Sequence, residues 1–389
     1  MRRHNLSLVL RQIHRDGALT RAELTHRLGL SRSTIGALVA DLTELGLLEE
    51  SVPSGGTRAG RPSFVVGPHK QGPYVVAVDV DVTQVTTAAV GIGGTVLARH
   101  VVETEEACSA EKVARLIVDS VPTLQGLTGN SGVPVTIGVS VPGTVDRHSG
   151  TVGFAPNLGW RNEEFGAMLT ELASPHLPVV VGNDADLSVL AEHSRGSARG
   201  FQDVVYLIGR FGVGAGIIAN GVPLRGHDGH AGEIGHNVVD ASGPPCHCGK
   251  RGCLETYIGA GALLSRAGVR GPANDERVHR VLEQARAGKQ KAAAAVSDVA
   301  DALGRGIASL VNTLNPQLVV LGGSLSDILE LGRADLERSL ARYALDAPGE
   351  TVQLAAPSLG TDSALLGAAE IAFEALLDNP VGRKSLLPR

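Results

Sequence analysis

Aromatic side chains are scarce in this chain: six Phe, four Tyr and one Trp among 389 residues, with only two Met. Large rings therefore cannot fill the interior, and Val, Leu, Ala and Ile must do so, within a hydrophobic fraction of 43%. No apolar run approaches the roughly 20 residues of a membrane span, and Met1-Arg2-Arg3-His4-Asn5 leads into no signal-peptide core. Those two absences predict a cytoplasmic protein without a membrane partner. The length exceeds one ordinary domain and predicts two or three. Fifty glycines point to many tight turns. Charge is uneven. Residues 1–67 carry nine Arg against six acidic residues, whereas the remainder carries 26 basic against 34 acidic residues. A basic head on an acidic body suggests that the head meets a polyanion.

Cysteine is also scarce, with four residues, yet three of them fall within Cys246-His247-Cys248-Gly249-Lys250-Arg251-Gly252-Cys253. Thiolates this close, in a Gly- and Pro-rich loop, suit a tetrahedral Zn2+. The plain alternative is a loop that happens to hold cysteines, or a labile disulfide. His236 completes the ligand set with Cys246, Cys248 and Cys253. His247 is a rival placed between two ligands, and His227 and His230 are weaker ones. Four protein ligands leave no open position, so the expected zinc is structural. Cys108 has no nearby partner and reads as a packed or surface thiol.

The first 67 residues predict a DNA-reading module. Leu6, Leu8, Val9, Leu10 and Ile13 mark a helix over Asn5–His14, stopped at Asp16-Gly17. Thr20-Arg21-Ala22-Glu23 is a capping box opening a short second helix. Ser31-Arg32-Ser33-Thr34 opens a third helix, with Ile35, Leu38, Val39, Leu42 and Leu45 on one face. Two capped helices joined through Gly29-Leu30 outline a helix-turn-helix. In that motif Ser31, Arg32, Ser33 and Thr34 face base edges and phosphates. Leu47–Glu50 and Ser63–Val66 read as two strands of a wing. Its basic loop offers Arg58 and Arg61 to the minor groove or to phosphates. An ordinary helical hairpin followed by a solvated linker is the competing reading.

From Tyr74 onward, apolar strands alternate with helical stretches. Tyr74–Val80, Val85–Val90, Val133–Val139, Val179–Gly182, Val204–Ile208, Ala215–Ile218 and Leu318–Leu321 are the strands, which argues for an α/β body.

Several short segments together carry a specific resemblance. They are Gly60-Arg61-Pro62, Val141-Pro142-Gly143, Ala155-Pro156-Asn157-Leu158-Gly159-Trp160, Asn183-Asp184-Ala185, Ala231-Gly232-Glu233-Ile234-Gly235-His236, the cysteine loop and Gly322-Gly323-Ser324. Over nearly its whole length the chain resembles transcriptional repressors of the ROK family. That resemblance implies a multidomain protein: a winged helix-turn-helix over 1–67 and an actin-like, two-lobed α/β sugar-kinase fold. Lobe 1 would span 68–185 and lobe 2, with the zinc loop, 186–362. A C-terminal helix within 363–389 would pack back on lobe 1. The implied sugar contacts are Gly143, Asn157, Asn183, Asp184, Glu233, His236 and Glu255. Hydroxyl-rich ligands suit such donors and acceptors. One ring nitrogen of His236 would face the metal and the other the sugar.

Asp184 matches the family's catalytic base, but the phosphate turns depart from the kinase pattern. Kinases of the family show Asp-x-Gly-Gly-Thr, where this chain has Asp79-Val80-Asp81-Val82-Thr83. The second turn, Gly-Thr-Gly-x-Gly-Ala-Gly in the kinases, reads Arg210-Phe211-Gly212-Val213-Gly214-Ala215-Gly216. Side-chain bulk and an extra carboxylate oppose ATP there, so no enzymatic activity is expected and Asp184 remains as a sugar ligand. Arg210 is expected in a surface salt bridge, with a ligand phosphate as the alternative. The expected partners are operator DNA and a sugar or sugar-phosphate effector that releases it, in a homodimer or homotetramer. A sugar kinase with an appended DNA-binding head is the alternative.

Overall fold

The computed structural model describes residues 1–52, 64–105, 107–129 and 132–382. The wing loop with Arg58 and Arg61, and the Gly60-Arg61-Pro62 segment, lie outside the described residues. The head contains α1 (Arg2–Asp16), β1 (Leu19–Thr20), α2 (Arg21–Leu28), α3 (Arg32–Glu44), β2 (Leu48–Ser51) and β3 (Val65–Pro68). The first helix begins three residues earlier than its apolar spacing suggests, because Arg2 pairs with Asp41 of α3 at 2.7 Å. The Thr20 capping box forms: the Thr20 backbone N–H donates to Glu23 Oε2 at 2.7 Å, and its hydroxyl accepts from the Glu23 backbone. Ser31 caps α3 by accepting from Thr34 N–H at 3.1 Å. Val9, Leu10, Ile13, Leu24, Ile35, Val39 and Leu42 are fully buried where the three helices meet. β3 lies between β1 and β2, antiparallel to both.

The body holds two five-stranded sheets with one strand order. In lobe 1, β4 (Tyr74–Val80), β5 (Gln84–Gly91) and β6 (Val96–Glu103) form an antiparallel meander. After α4 (Ala110–Thr128), β7 (Pro134–Val141) joins β4 in parallel. The small strands β8 (Thr144–Val145), β9 (Val152–Ala155) and β10 (Trp160–Glu163) form a separate sheet that carries Asn157. Beyond α5 (Phe165–Leu172), β11 (Val179–Asn183) joins β7 in parallel and runs straight into α6 (Asp184–Arg195).

Lobe 2 repeats the order with β12 (Val204–Gly209), β13 (Val213–Ala219) and β14 (Val222–Pro223) as the meander. Its helices are α7 (Glu255–Ile258), α8 (Ala260–Arg266), α9 (Asp275–Arg286) and α10 (Gln290–Leu314). Then β15 (Leu318–Gly323) pairs with β12, α11 (Ser324–Tyr343) and α12 (Asp346–Thr351) follow, and β16 (Gln353–Ala355) closes the sheet. The last helix, α13 (Ser363–Asp378), crosses to lobe 1 and packs on β4, β7 and α6. β6 escaped the sequence reading because its residues alternate between polar and apolar at a half-exposed edge. The cores are aliphatic as the composition requires, with Tyr74, Tyr206, Phe165 and Phe373 the fully buried aromatics among the described residues. Cys108 packs against the core of lobe 1.

The head is seated on the body through α1. His14, almost wholly buried, packs against Phe373 of α13 with ring centroids 4.8 Å apart and the planes tilted by 58°. Its Nδ1 lies 3.1 Å from Gly93 N–H, and its Nε2 lies 3.3 Å from Glu370 Oε2 and 3.1 Å from Arg195 Nη2. Arg195, the last residue of α6, donates through Nε to Glu370 Oε1 at 3.0 Å and through Nη1 to Gly93 O at 2.7 Å. Asp16 pairs with Arg27 of the head and Arg199 of the body.

Burial pushes the Glu370 carboxyl up, but the hydrogen bond from His14 and the charges of His14 and Arg195 leave it below its ordinary 4.5. A carboxyl held low contributes stability above its unfolded value, and that stability is lost as pH falls through the lowered one. Acidification below about pH 4.5 should therefore loosen the head–body joint. Glu370→Ala should destabilise the protein by about 3–5 kcal/mol in urea unfolding, since it leaves Arg195 buried without its partner.

Candidate functional site

At the DNA-reading end, Ser31, Arg32 and Ser33 are exposed at the start of α3, with Thr34 half-buried. Ser31 is occupied as the cap, and its hydroxyl also lies 2.9 Å from Ser33 Oγ and 2.8 Å from Thr34 Oγ1. Arg32 has no hydrogen bond or ion pair among the described residues, so its guanidinium is free to reach a groove.

The cysteine loop closes on itself as a hairpin. Cys246 N–H donates to Lys250 O at 2.8 Å, and Leu254 N–H donates to Asn237 O at 2.8 Å. The loop is thereby drawn against the 3-10 turn Ile234–His236. One ligand atom from each of His236, Cys246, Cys248 and Cys253 lies within 4.8 Å of every other. Cys248 Sγ stands 3.7 Å from Cys253 Sγ, and Cys246 Sγ stands 3.7 Å from His236 Nδ1. Ligands about 2.3 Å from a tetrahedral zinc have edges of about 3.8 Å, so this spacing and the donor set of three sulfurs and one nitrogen fit such an ion. The sulfur separation is also far longer than a disulfide. His247 is exposed and outside the group, as are His227 and His230.

The cleft between the lobes gathers the expected sugar residues. Gly143, Asn157, Asn183, Asp184, Glu233, His236 and Glu255 all line one cavity of ≈ 120 Å³. With Nδ1 of His236 on the cysteine side, Nε2 faces Glu233 Oε2 at 4.0 Å. Glu255 joins two features. Its Oε2 accepts from Val213 N–H at 2.9 Å, and its Oε1 lies 3.8 Å from Cys246 Sγ. Asn183 is the N-cap of α6. Its Oδ1 accepts from Ala185 and Asp186 N–H at 2.9 and 3.0 Å, and its Nδ2 donates to Gly143 O at 2.8 Å. Asn183 thus shapes the cleft more than it faces into it.

Asp184 is buried, and burial, against the opposing charge of Arg210, raises its carboxyl to about 6. At neutral pH it is still mainly an acceptor. Asp186, absent from the sequence reading, lines the same cavity. Burial raises it to about 7 against the charges of Arg147 and Arg225. Its spacing hid it, because side chains two apart on a helix do not usually share a face.

Arg210 departs from expectation. It is not in a surface salt bridge. It follows β12 of lobe 2 and reaches across the cleft to Asp79 Oδ2 at 3.2 Å and Asp81 Oδ2 at 3.3 Å in lobe 1, with its side chain 23% exposed. Burial alone would lower its pKa; Asp79, Asp81 and Asp184 outweigh that and keep it charged. Asp81, read from sequence as an unbalanced carboxylate at the phosphate position, is therefore neutralised by the arginine. Beside this clamp a larger cavity of ≈ 440 Å³ opens, bounded by Asp79, Arg210, Asp275, His279 and Ser324.

Comparison with known proteins agrees with this division of parts. A family model described as ROK family matches residues 75–375, and one described as MarR family matches residues 7–59. A xylose repressor of Bacillus spizizenii is 27% identical, over 96% of this chain and 96% of its own length. A glucokinase of Halalkalibacterium halodurans is 31% identical, over 76% of this chain and 93% of its own. The repressor therefore matches head and body together. A crystal structure of a ROK family transcriptional regulator, a homolog of the E. coli MLC protein, superposes with a TM-score of 0.80. It covers 99% of each chain at 23% identity, which places the fold.

Because Arg210 balances two carboxylates across the cleft, Arg210→Ala should destabilise the protein by about 3–5 kcal/mol in urea unfolding. Adding Asp81→Asn should recover part of that loss, and strictly additive effects would show that the two residues act separately.

Proposed function

We propose that this chain, a member of the ROK family and a sugar-responsive DNA-binding repressor, holds a monosaccharide or its phosphate between the lobes with Gly143, Asn157, Asp184, Glu233, His236 and Glu255, in a cleft whose wall Asn183 shapes, and that this ligand weakens its grip on an operator. The observation that carries this reading is the union of a head with a free Arg32 and a cleft in which Arg210, in a turn that departs from the kinase pattern, is paired to Asp79 and Asp81. Ser31, Arg32, Ser33 and Thr34 would meet the major groove, with Arg58 and Arg61 on the neighbouring phosphates or minor groove. A homodimer or homotetramer would present two heads to two half-sites. Operator DNA as partner implies work in the cytoplasm.

Sensing is favoured over phosphoryl transfer. A kinase needs backbone N–H groups and cations around ATP phosphates. Here the first turn presents two carboxylates, and the second presents a side chain already paired to them. The glucokinase similarity and the acceptor at Asp184 favour residual kinase activity as the second reading. Incubation with ATP and either D-xylose or D-glucose should release no sugar phosphate.

The name of the xylose repressor relative makes D-xylose the first effector to try. Sugar affinity should be measured with and without a saturating operator fragment. If closed lobes space the heads wrongly, each ligand should weaken the other reciprocally, by about 1–3 kcal/mol. Asp184→Ala should abolish this response, and Arg32→Ala should weaken DNA binding while sparing sugar. Equal sugar affinities with and without operator would end the proposal.

We further propose that the group of His236, Cys246, Cys248 and Cys253 holds one structural Zn2+ per chain. The ion would fix the ring of His236 with Nε2 toward the cleft. Elemental analysis should find about one zinc per chain, four ligands being the full set for a structural site. Cys248→Ser should lose metal and sugar response together. A metal-free protein with an intact response would refute this.

A further inference from the structure

Helix α6 runs from the cleft to the head. Its first residue, Asp184, lines the sugar cavity, and its last, Arg195, bonds Glu370 and Gly93 beside His14. At 1.5 Å per residue those ends lie about 17 Å apart along the axis. Between them runs a buried polar line. Asp184, Ser188, Glu192 and Arg195 follow at spacings of four, four and three, which keeps them on one face.

Every member of that line is satisfied. The Ser188 hydroxyl donates to Asp184 O at 2.7 Å. Glu192, fully buried, accepts from Leu359 N–H at 2.9 Å and from the Ser363 hydroxyl at 2.8 Å through Oε1. Its Oε2 accepts from Ser197 N–H at 2.7 Å. The helix also has no slack beside it. A methyl group at Gly216 of β13 would stand 2.4 Å from Ala185 O, and one at Gly367 of α13 would stand 1.9 Å from Leu187 O. The backbones touch on both sides, so α6 cannot tilt without carrying β13 or α13 with it.

We propose that α6 is the rigid link through which the state of the cleft sets the posture of the head, with Arg195 and His14 as positioning residues at its far end. Movement of lobe 2 against lobe 1 shifts β13, which bears on the first turn of α6. The last turn then moves the Arg195–Glu370 pair under His14, and α1 follows. The inference rests on the sugar-responsive reading for its physiological trigger, but the mechanical link can be tested without a ligand.

The test is hydrogen–deuterium exchange of the full chain, read at the amides of α1. Asp184→Asn, nearly isosteric at the cleft end, should change α1 exchange by about threefold or more, and that change should vanish in the presence of His14→Ala. A merely structural role for His14 would raise exchange by itself and leave the effect of Asp184→Asn intact. Should His14→Ala fail to fold, Arg195→Lys removes the guanidinium nitrogen that lies 3.1 Å from His14 Nε2 while keeping the charge. In a second arm, D-xylose or D-glucose that protects cleft amides should alter α1 exchange in the natural protein and not in His14→Ala. If neither sugar protects the cleft, the effector assignment fails, and the first arm still decides the link. Unchanged α1 exchange in Asp184→Asn, or additive effects in the double variant, would overturn it.

Discussion

A guanidinium held between two carboxylates joins the two halves of the body. Arg210 of lobe 2 meets Asp79 and Asp81 of lobe 1 in a setting where none of the three is fully hydrated. Ions so placed must be balanced locally, because leaving one unpaired carries a large desolvation penalty. The clamp therefore ties the closure of the lobes to a charge balance internal to the chain. The protein supplies both signs of that balance itself.

The cleft arrangement depends on that closure. Gly143, Asn157, Asn183, Asp184 and Asp186 come from lobe 1 and the start of α6, whereas Glu233, His236 and Glu255 come from lobe 2. Glu255 holds the β13 turn through Val213 and approaches Cys246, so the cysteine loop, the cleft and the clamp turn form one connected region. The shared strand order of the two sheets explains how such a region arises. Each lobe brings the same end of its first strand to the interface, β4 with Asp79 and β12 with Arg210.

Local chemistry was legible in the amino-acid order, and long-range chemistry was not. The capping box at Thr20, the cap at Ser31 and the apolar runs of the central strands depend on neighbours within a few residues, and the structure has them where the pattern put them. The cysteine spacing likewise brought three thiols together because the loop is short. Arg210 was misread because its partner Asp79 lies 131 positions away, and nothing near it in sequence signals burial. His14 carried no signal beyond ending the predicted helix, since Glu370 and Gly93 are distant in the chain. β6 was passed over because an edge strand with one wet face has no continuous apolar run. The family resemblance supplied the cleft residues; composition and periodicity alone could not.

Asn183 leads to a practical consequence for redesign of the effector. Both ends of its amide are already engaged, one on the start of α6 and the other on Gly143. A change there alters where a helix begins before it alters what the cleft presents to a ligand. A library intended to retune ligand choice should therefore leave that position alone. It belongs on the opposite wall, where Glu233 and the Nε2 edge of His236 still present polar atoms to the cleft.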